Sequence, residues 1–204
     1  PNALLEDALK KCSDVVEGLY REWFLKQLTL TWTKAIASDL DSLGYVSEIN
    51  EQRRFYSRYV SPNVSKGNRV FVVISDALRY EVAAELSETL SHTTKGKASL
   101  EAVQAVFPSI TKFGMAALLP GKEVSANEKM DVLVDGSPTV STAQRGTILN
   151  AANPNSVAVT YKELLQMKKQ ERRDLVAGKE IIYVYHNTID ALGDKAATET
   201  KVFE

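Results

Sequence analysis

Cysteine is nearly absent from the 204 residues: Cys12 stands alone, so neither an internal disulfide nor a multi-cysteine zinc ribbon can form. A reducing, cytoplasmic setting is the expectation that follows. Proline and glycine are sparse, at 6 and 10 residues. No apolar run approaches the roughly 18 to 20 residues of a membrane span; the longest strong one is residues 70–74. The opening PNALLEDALKK carries no signal-peptide pattern. An excess of one charge sign is lacking too, since 25 Lys+Arg against 26 Asp+Glu leave a net charge of -1. That balance argues against a protein holding nucleic acid through a large basic face. Phosphate chemistry would have to come from a built site. GxxxxGK[ST], GxGxxG, HExxH and CxxC are all missing, so Walker-type nucleotide hydrolysis and dinucleotide binding lose their usual support.

What is present is ordinary globular composition, with 44% hydrophobic and 25% charged residues. A chain of this length buries one full core with a smaller accessory unit beside it. It opens without Met, and its last residues, ATETKVFE, are helix formers with no Gly or Pro stop. Both ends read as a fragment of a longer polypeptide.

Residues 1–60 hold no proline after Pro1, and apolar residues recur at helical spacing through Leu4, Leu5, Ala8, Val15, Val16, Leu19 and Trp23. They predict a helical segment. SPNVSKGN, residues 61–68, has the Pro/Gly/Ser/Asn composition of a linker. From residue 69 to 204 short apolar runs alternate with amphipathic stretches, as in RVFVVISDALRYEVAAEL and EIIYVYHNTIDALGD. Continuous runs such as residues 70–74 and 181–185 suit parallel strands buried on both faces, so the expected class is α/β.

In an open α/β sheet ligands gather at the carboxyl ends of the strands. Asp76 follows VFVVIS directly, and its carboxylate reads either as a hard ligand for a divalent cation or as the N-cap of the next helix. PSIT places Ser109 and Thr111 at a helix entry, where capping is the simpler reading and stabilisation of an alkoxide or phosphate the sharper one. His186 ends the strand EIIYVYH, with Asp190 and Asp194 following at intervals of four. These are zinc-compatible ligand types, and equally a structural histidine with capping aspartates. His92 at a helix end is structural. Lys168, Lys169, Arg172 and Arg173 read as a solvated helix face, with a phosphate-recruiting patch as the rival.

RVFVVISDALRYEVAAEL, AVFPSITKFGMAALLPG and IIYVYHNTIDALGDKAATETKVFE resemble, in order and spacing, the PglZ domain of bacteriophage-exclusion (BREX) and phage-growth-limitation defence systems. PglZ in turn is similar to the alkaline phosphatase superfamily. The resemblance covers residues 69–204. It implies an alkaline-phosphatase-like mixed central sheet flanked by helices, here truncated and preceded by the helical segment. It also implies a site with two divalent metals, usually zinc, around a Ser or Thr nucleophile.

Carried over, Asp76 matches the first metal-ligating aspartate and Thr111 the nucleophile, itself a metal ligand, with Ser109 as fallback. His186 and Asp190 fall where the superfamily shows Asp and then His, so the order of ligand types is reversed, and Asp194 is an optional further ligand. The downstream Asp-His-Gly segment of the family does not occur before Glu204. The ligand set is therefore too small for two tetrahedral zinc ions, and weak metal binding is the expectation.

The implied function is a metal-dependent phosphatase or phosphodiesterase of antiviral defence, working beside a methyltransferase and ATPases. Its phosphate ester could be a phosphoprotein, a nucleotide or DNA; nucleic acid is a compatible partner and a membrane is not. The rival is a non-catalytic PglZ module that assembles a defence complex. A receiver-like or flavodoxin-like regulator is disfavoured, because receivers place paired acids after the first strand and here only Ser75 and Asp76 stand there.

Overall fold

A computed structural model describes residues 3–194 of the chain, which divides into two compact units, one ending at Ile49 and the other beginning at Asn50. The first is helical almost throughout. α1 (Ala3–Gly18) runs into a π-helical stretch, Leu19–Leu25, and then into α2 (Lys26–Leu43). No proline interrupts the backbone ladder. α2 ends at Gly44, whose φ of 75° is the left-handed conformation that glycine adopts without a Cβ penalty, and its N–H bonds Leu40 O at 3.1 Å. Large apolar side chains on these helices, Leu9, Val16, Trp23 and Leu30 among them, are exposed.

The second unit contains the α/β fold that the sequence predicts. Three strands, β1 (Val70–Ser75), β5 (Ser156–Thr160) and β6 (Ile181–His186), form a parallel sheet in the order β1-β6-β5. β6 lies in the middle, with Ile181 and Tyr183 fully buried, which explains its unbroken apolar sequence. Strand alternation divides its side chains. Ile181, Tyr183 and Tyr185 join Val72 on one face, covered by α5 (Thr111–Ala117) and α6 (Thr142–Ala152). Ile182 and Val184 join Val159 on the other, beside Leu164 of α7 (Tyr161–Gln166) and Leu175 of α8 (Lys169–Val176). A small antiparallel sheet of β2 (Val124–Ala126), β3 (Val132–Val134) and β4 (Ser137–Pro138) adds Val132 and Val134 to the first core. Its β3–β4 turn uses Asp135 and Gly136, both at positive φ, the requirement of a two-residue hairpin loop. α4 (Tyr80–Thr93) follows β1, and α9 (Thr188–Gly193) follows β6.

The segment expected to be a linker is instead structured. Ser61–Ser65 forms α3, with Pro62 in the first turn, where its missing N–H costs nothing. Val60 is fully buried and Val64 packs against the same core, so residues 61–68 make a short helix and a Gly67 turn leading into β1. The division of the chain lies at Ile49 and Asn50 rather than there. Pro, Ser, Asn and Gly serve helix starts and stops as readily as linkers, and local composition does not distinguish the two.

Among the described residues no helix is long and apolar enough to cross a membrane. The closing stretch ATETKVFE of the resemblance lies outside the described residues.

Candidate functional site

β1 delivers Asp76 to the carboxyl edge of the sheet. Its N–H continues the parallel ladder to His186 O at 2.9 Å, while Oδ1 accepts the N–H of Ala77 at 3.1 Å. Ala77 has a φ of 61°, a left-handed conformation costly for a residue with a Cβ, directly after the carboxylate. The N-cap of α4 is Arg79, so Asp76 is not the helix cap that its sequence position also allowed. Burial raises the Asp76 pKa above the usual carboxylate range, and the charge of Asp190 raises it further. Asp194 acts in the same direction; the Ala77 N–H and the Arg145 charge oppose them.

Thr111 reaches the same place from α5. Ile110 before it is extended and is the N-cap, with no side-chain capping bond, so neither Ser109 nor Thr111 does the capping that their sequence position also allowed. The buried residues Phe113, Ala116 and Ala117 hold the helix on the sheet, and Tyr183 Oη donates to Leu118 O at 2.8 Å just past its end. Gln52 clamps it from the other side: Oε1 accepts Val106 N–H at 3.3 Å and Nε2 donates to Gly114 O at 3.4 Å. A cleft of about 360 Å³ results, lined by Asp76, Ser109, Thr111 and Gln52.

His186 follows a different course. It is the register partner of Ser75, whose Oγ lies 2.9 Å from its Nδ1, and its ring meets Tyr161 edge-on at 4.8 Å. Alternation along β6 sends it toward the α7 side with Ile182 and Val184. It does not line the cleft holding Asp76 and Thr111. Asp190 stands in the first turn of α9, close enough for its charge to act on Asp76.

The profile of the BREX system PglZ alkaline phosphatase-like domain matches residues 55–204. The chain belongs to the PglZ family. It is 42% identical over 198 residues to the alkaline phosphatase-like protein PglZ of Bacillus cereus (strain H3081.97), a match covering 97% of this chain and 23% of that protein. It is 39% identical over 201 residues to the alkaline phosphatase-like protein BrxZ of Escherichia coli O9:H4 (strain HS), covering 96% and 23%. The chain thus spans under a quarter of the length of these curated relatives. No solved structure matches. The relatives' coverage extends over the helices before residue 55, which the family profile omits.

A divalent cation fits this cleft in part. The Asp76 carboxylate, disfavoured by burial and by two neighbouring aspartates, is an anionic oxygen that a cation would neutralise. Yet among the described residues no three His, Cys, Asp or Glu side chains stand close enough to hold a metal ion. Lys168, Lys169, Arg172 and Arg173 are exposed on α8 and its N-terminal flank, on the sheet face opposite α5, so they form no patch beside the cleft.

Gln52, which lines the cleft, carries no sequence signal of its own. Gln52 precedes the segment that matches the family profile. Arg145 looks like any charged residue in a helix's first turns; only the folded chain sets it over Tyr185.

Proposed function

We propose that the chain is part of a PglZ-type, metal-dependent phosphoesterase, a phosphatase or phosphodiesterase working in the cytoplasm within a BREX phage-defence system. One observation carries this reading: Asp76 and Thr111, distant in sequence, share a single cleft, with the Thr111 hydroxyl free of capping duty and the Asp76 carboxylate crowded by negative charge. Thr111 Oγ1 is the nucleophile. It bonds to phosphorus as the ester oxygen leaves in line, and water then releases phosphate from the threonine. Asp76 would hold a cation, with Asp190 and Asp194 strengthening the negative potential around it. When bound, such a cation supplies charge neutralisation at the phosphoryl oxygens and a lowered pKa for the attacking hydroxyl. His186, tied to Ser75, steadies the β1–β6 edge from which Asp76 projects. A methyltransferase and ATPases of the defence system are the partners of this reading, and a phosphate ester is its substrate.

A second reading, a non-catalytic module for assembly of the defence complex, draws on the incomplete ligand set among the described residues and on the turn of His186 away from the cleft. Hydrolysis of p-nitrophenyl phosphate mono- and diesters by the full-length protein with zinc or manganese separates the two. The enzyme reading expects turnover that falls at least about a thousandfold in Thr111→Ala. Absent turnover supports the assembly module, and turnover indifferent to that substitution removes Thr111 as the nucleophile.

A further inference from the structure

Gln52 enters the cleft from a short 3-10 turn, Gln52–Arg54, whose base is firmly anchored. Glu51 beside it is buried and pairs with Arg53 and with Arg54, the latter at 2.7 Å. The backbone on either side bridges to Gln104: Gln52 N–H donates to Gln104 O at 3.0 Å, and Gln104 N–H to Asn50 O at 2.8 Å. From this fixed base the Gln52 carboxamide engages two backbone groups that flank Thr111 in the chain. Oε1 accepts the N–H of Val106 before the threonine, and Nε2 donates to the carbonyl of Gly114 after it. The segment between these anchor points carries both hydroxyls of the cleft, Ser109 and Thr111.

The chemistry of the side chain matches the task. Holding an N–H and a C=O at once needs one acceptor and one donor on a single planar group, which a carboxamide supplies without bringing charge to the cleft. Gly114 shows how closely the two fit: a Cβ there would stand 3.3 Å from Gln52 Nε2 and 3.8 Å from Oε1, so glycine leaves the space that the carboxamide fills. α5 has no side-chain cap to fix its entry. Its placement comes from buried Phe113, Ala116 and Ala117 toward the core and from Gln52 at the cleft. At 3.3 and 3.4 Å both bonds of the carboxamide are long, so they contribute little stability. What they set is where the start of α5 stands.

We propose that Gln52 is a positioning residue for Thr111: through Val106 and Gly114 it fixes where the hydroxyl stands in the cleft. That the hydroxyl so placed is a nucleophile rests on the phosphoesterase reading. Displacing an attacking atom by about 1 Å costs on the order of a hundredfold in rate while substrate binding survives. The test uses the full-length protein with zinc or manganese and p-nitrophenyl phosphate esters. Gln52→Met keeps the length of the side chain and loses both polar ends; kcat is expected to fall about tenfold to a hundredfold, with KM within about twofold and a melting temperature close to that of the wild type. Gly114→Ala approaches the same contact from the helix: its methyl displaces the carboxamide while alanine favours the helix, so kcat should fall at an unchanged or raised melting temperature. Should Gln52→Met fail to fold, Gly114→Ala decides alone. A readout without turnover accompanies them. Hydrogen exchange at the Val106 amide should quicken in Gln52→Met, its acceptor gone, while that of Tyr183 in the central strand stays as in the wild type. Unchanged Val106 exchange, or a raised KM at wild-type kcat, overturns the proposal. Wild-type kcat in both variants beside lost turnover in Thr111→Ala overturns it and leaves the phosphoesterase reading standing. Absent wild-type turnover, or turnover that survives Thr111→Ala, overturns it by removing the reaction or the nucleophile that Gln52 would serve.

Discussion

Tyr183 and Tyr185 point to the same face of β6, and deleting the same atom from each has opposite expected consequences. Tyr183 is fully buried and its Oη donates to Leu118 O at 2.8 Å. Tyr183→Phe removes a hydrogen bond worth about 1 kcal/mol net and leaves the Leu118 carbonyl short of its partner, which adds about 1 to 2 kcal/mol where water cannot replace it. The ring stays, so little cavity forms. The expected loss is about 2 kcal/mol, or roughly 2 to 4 °C in melting temperature for each kcal/mol in a chain of this size.

The Tyr185 Oη, by contrast, is a buried polar atom with no hydrogen-bond partner. Arg145 lies over its ring face, and burial pushes its pKa up to about 12 against the opposing Arg145 charge. Tyr185→Phe removes a desolvated hydroxyl whose one polar neighbour, the Arg145 guanidinium, makes no well-formed hydrogen bond to it, so the expectation is a change between zero and a gain of about 1 kcal/mol. Urea denaturation of the chain and both variants, comparing midpoints at constant slope, reads the difference. Equal costs for the two substitutions, or none for Tyr183→Phe, would refute the hydrogen-bond accounting and with it the claim that Tyr183 anchors the helix opened by Thr111.

Asp76→Asn should stabilise the chain at neutral pH. Because the folded-state pKa of Asp76 lies above its unfolded value, the native state binds more protons between the two, and stability falls as pH rises through that window. Melting temperatures of wild type and variant should converge in acid and separate toward neutrality, and a variant less stable at pH 7 would contradict this. In the full-length protein the same substitution should abolish p-nitrophenyl ester hydrolysis, leaving a stabler and inactive enzyme. Ala77→Gly relieves a left-handed alanine and should raise stability by about 0.5 to 1 kcal/mol after the extra flexibility of unfolded glycine is discounted; denaturation midpoints that fall instead would place the strain elsewhere.

Much of this was legible in the chain itself. The run through His186 is apolar without alternation because its strand is covered on both faces, whereas the equally apolar run before Asp76 leaves Phe71 and Val73 exposed; both patterns are local. They set the α/β class and put Asp76 and His186 at strand ends, which the parallel register of Ser75 with His186 bears out. The order of short motifs also placed the chain among PglZ domains.

Tertiary structure decided the rest. Pro62 and Gly67 have the composition of a linker, yet Val60 and Val64 find a core to enter, and burial outweighs a weak local preference for irregular chain. Which way a strand-end side chain faces depends on a period of two counted from the register, so His186 turns toward Tyr161 while Asp76 faces Thr111. Gln52 joins the cleft only because folding brings separate elements to one sheet edge. A sequence records each residue's neighbours along the chain; the clamp on Thr111 and the guanidinium over Tyr185 are made by neighbours across it.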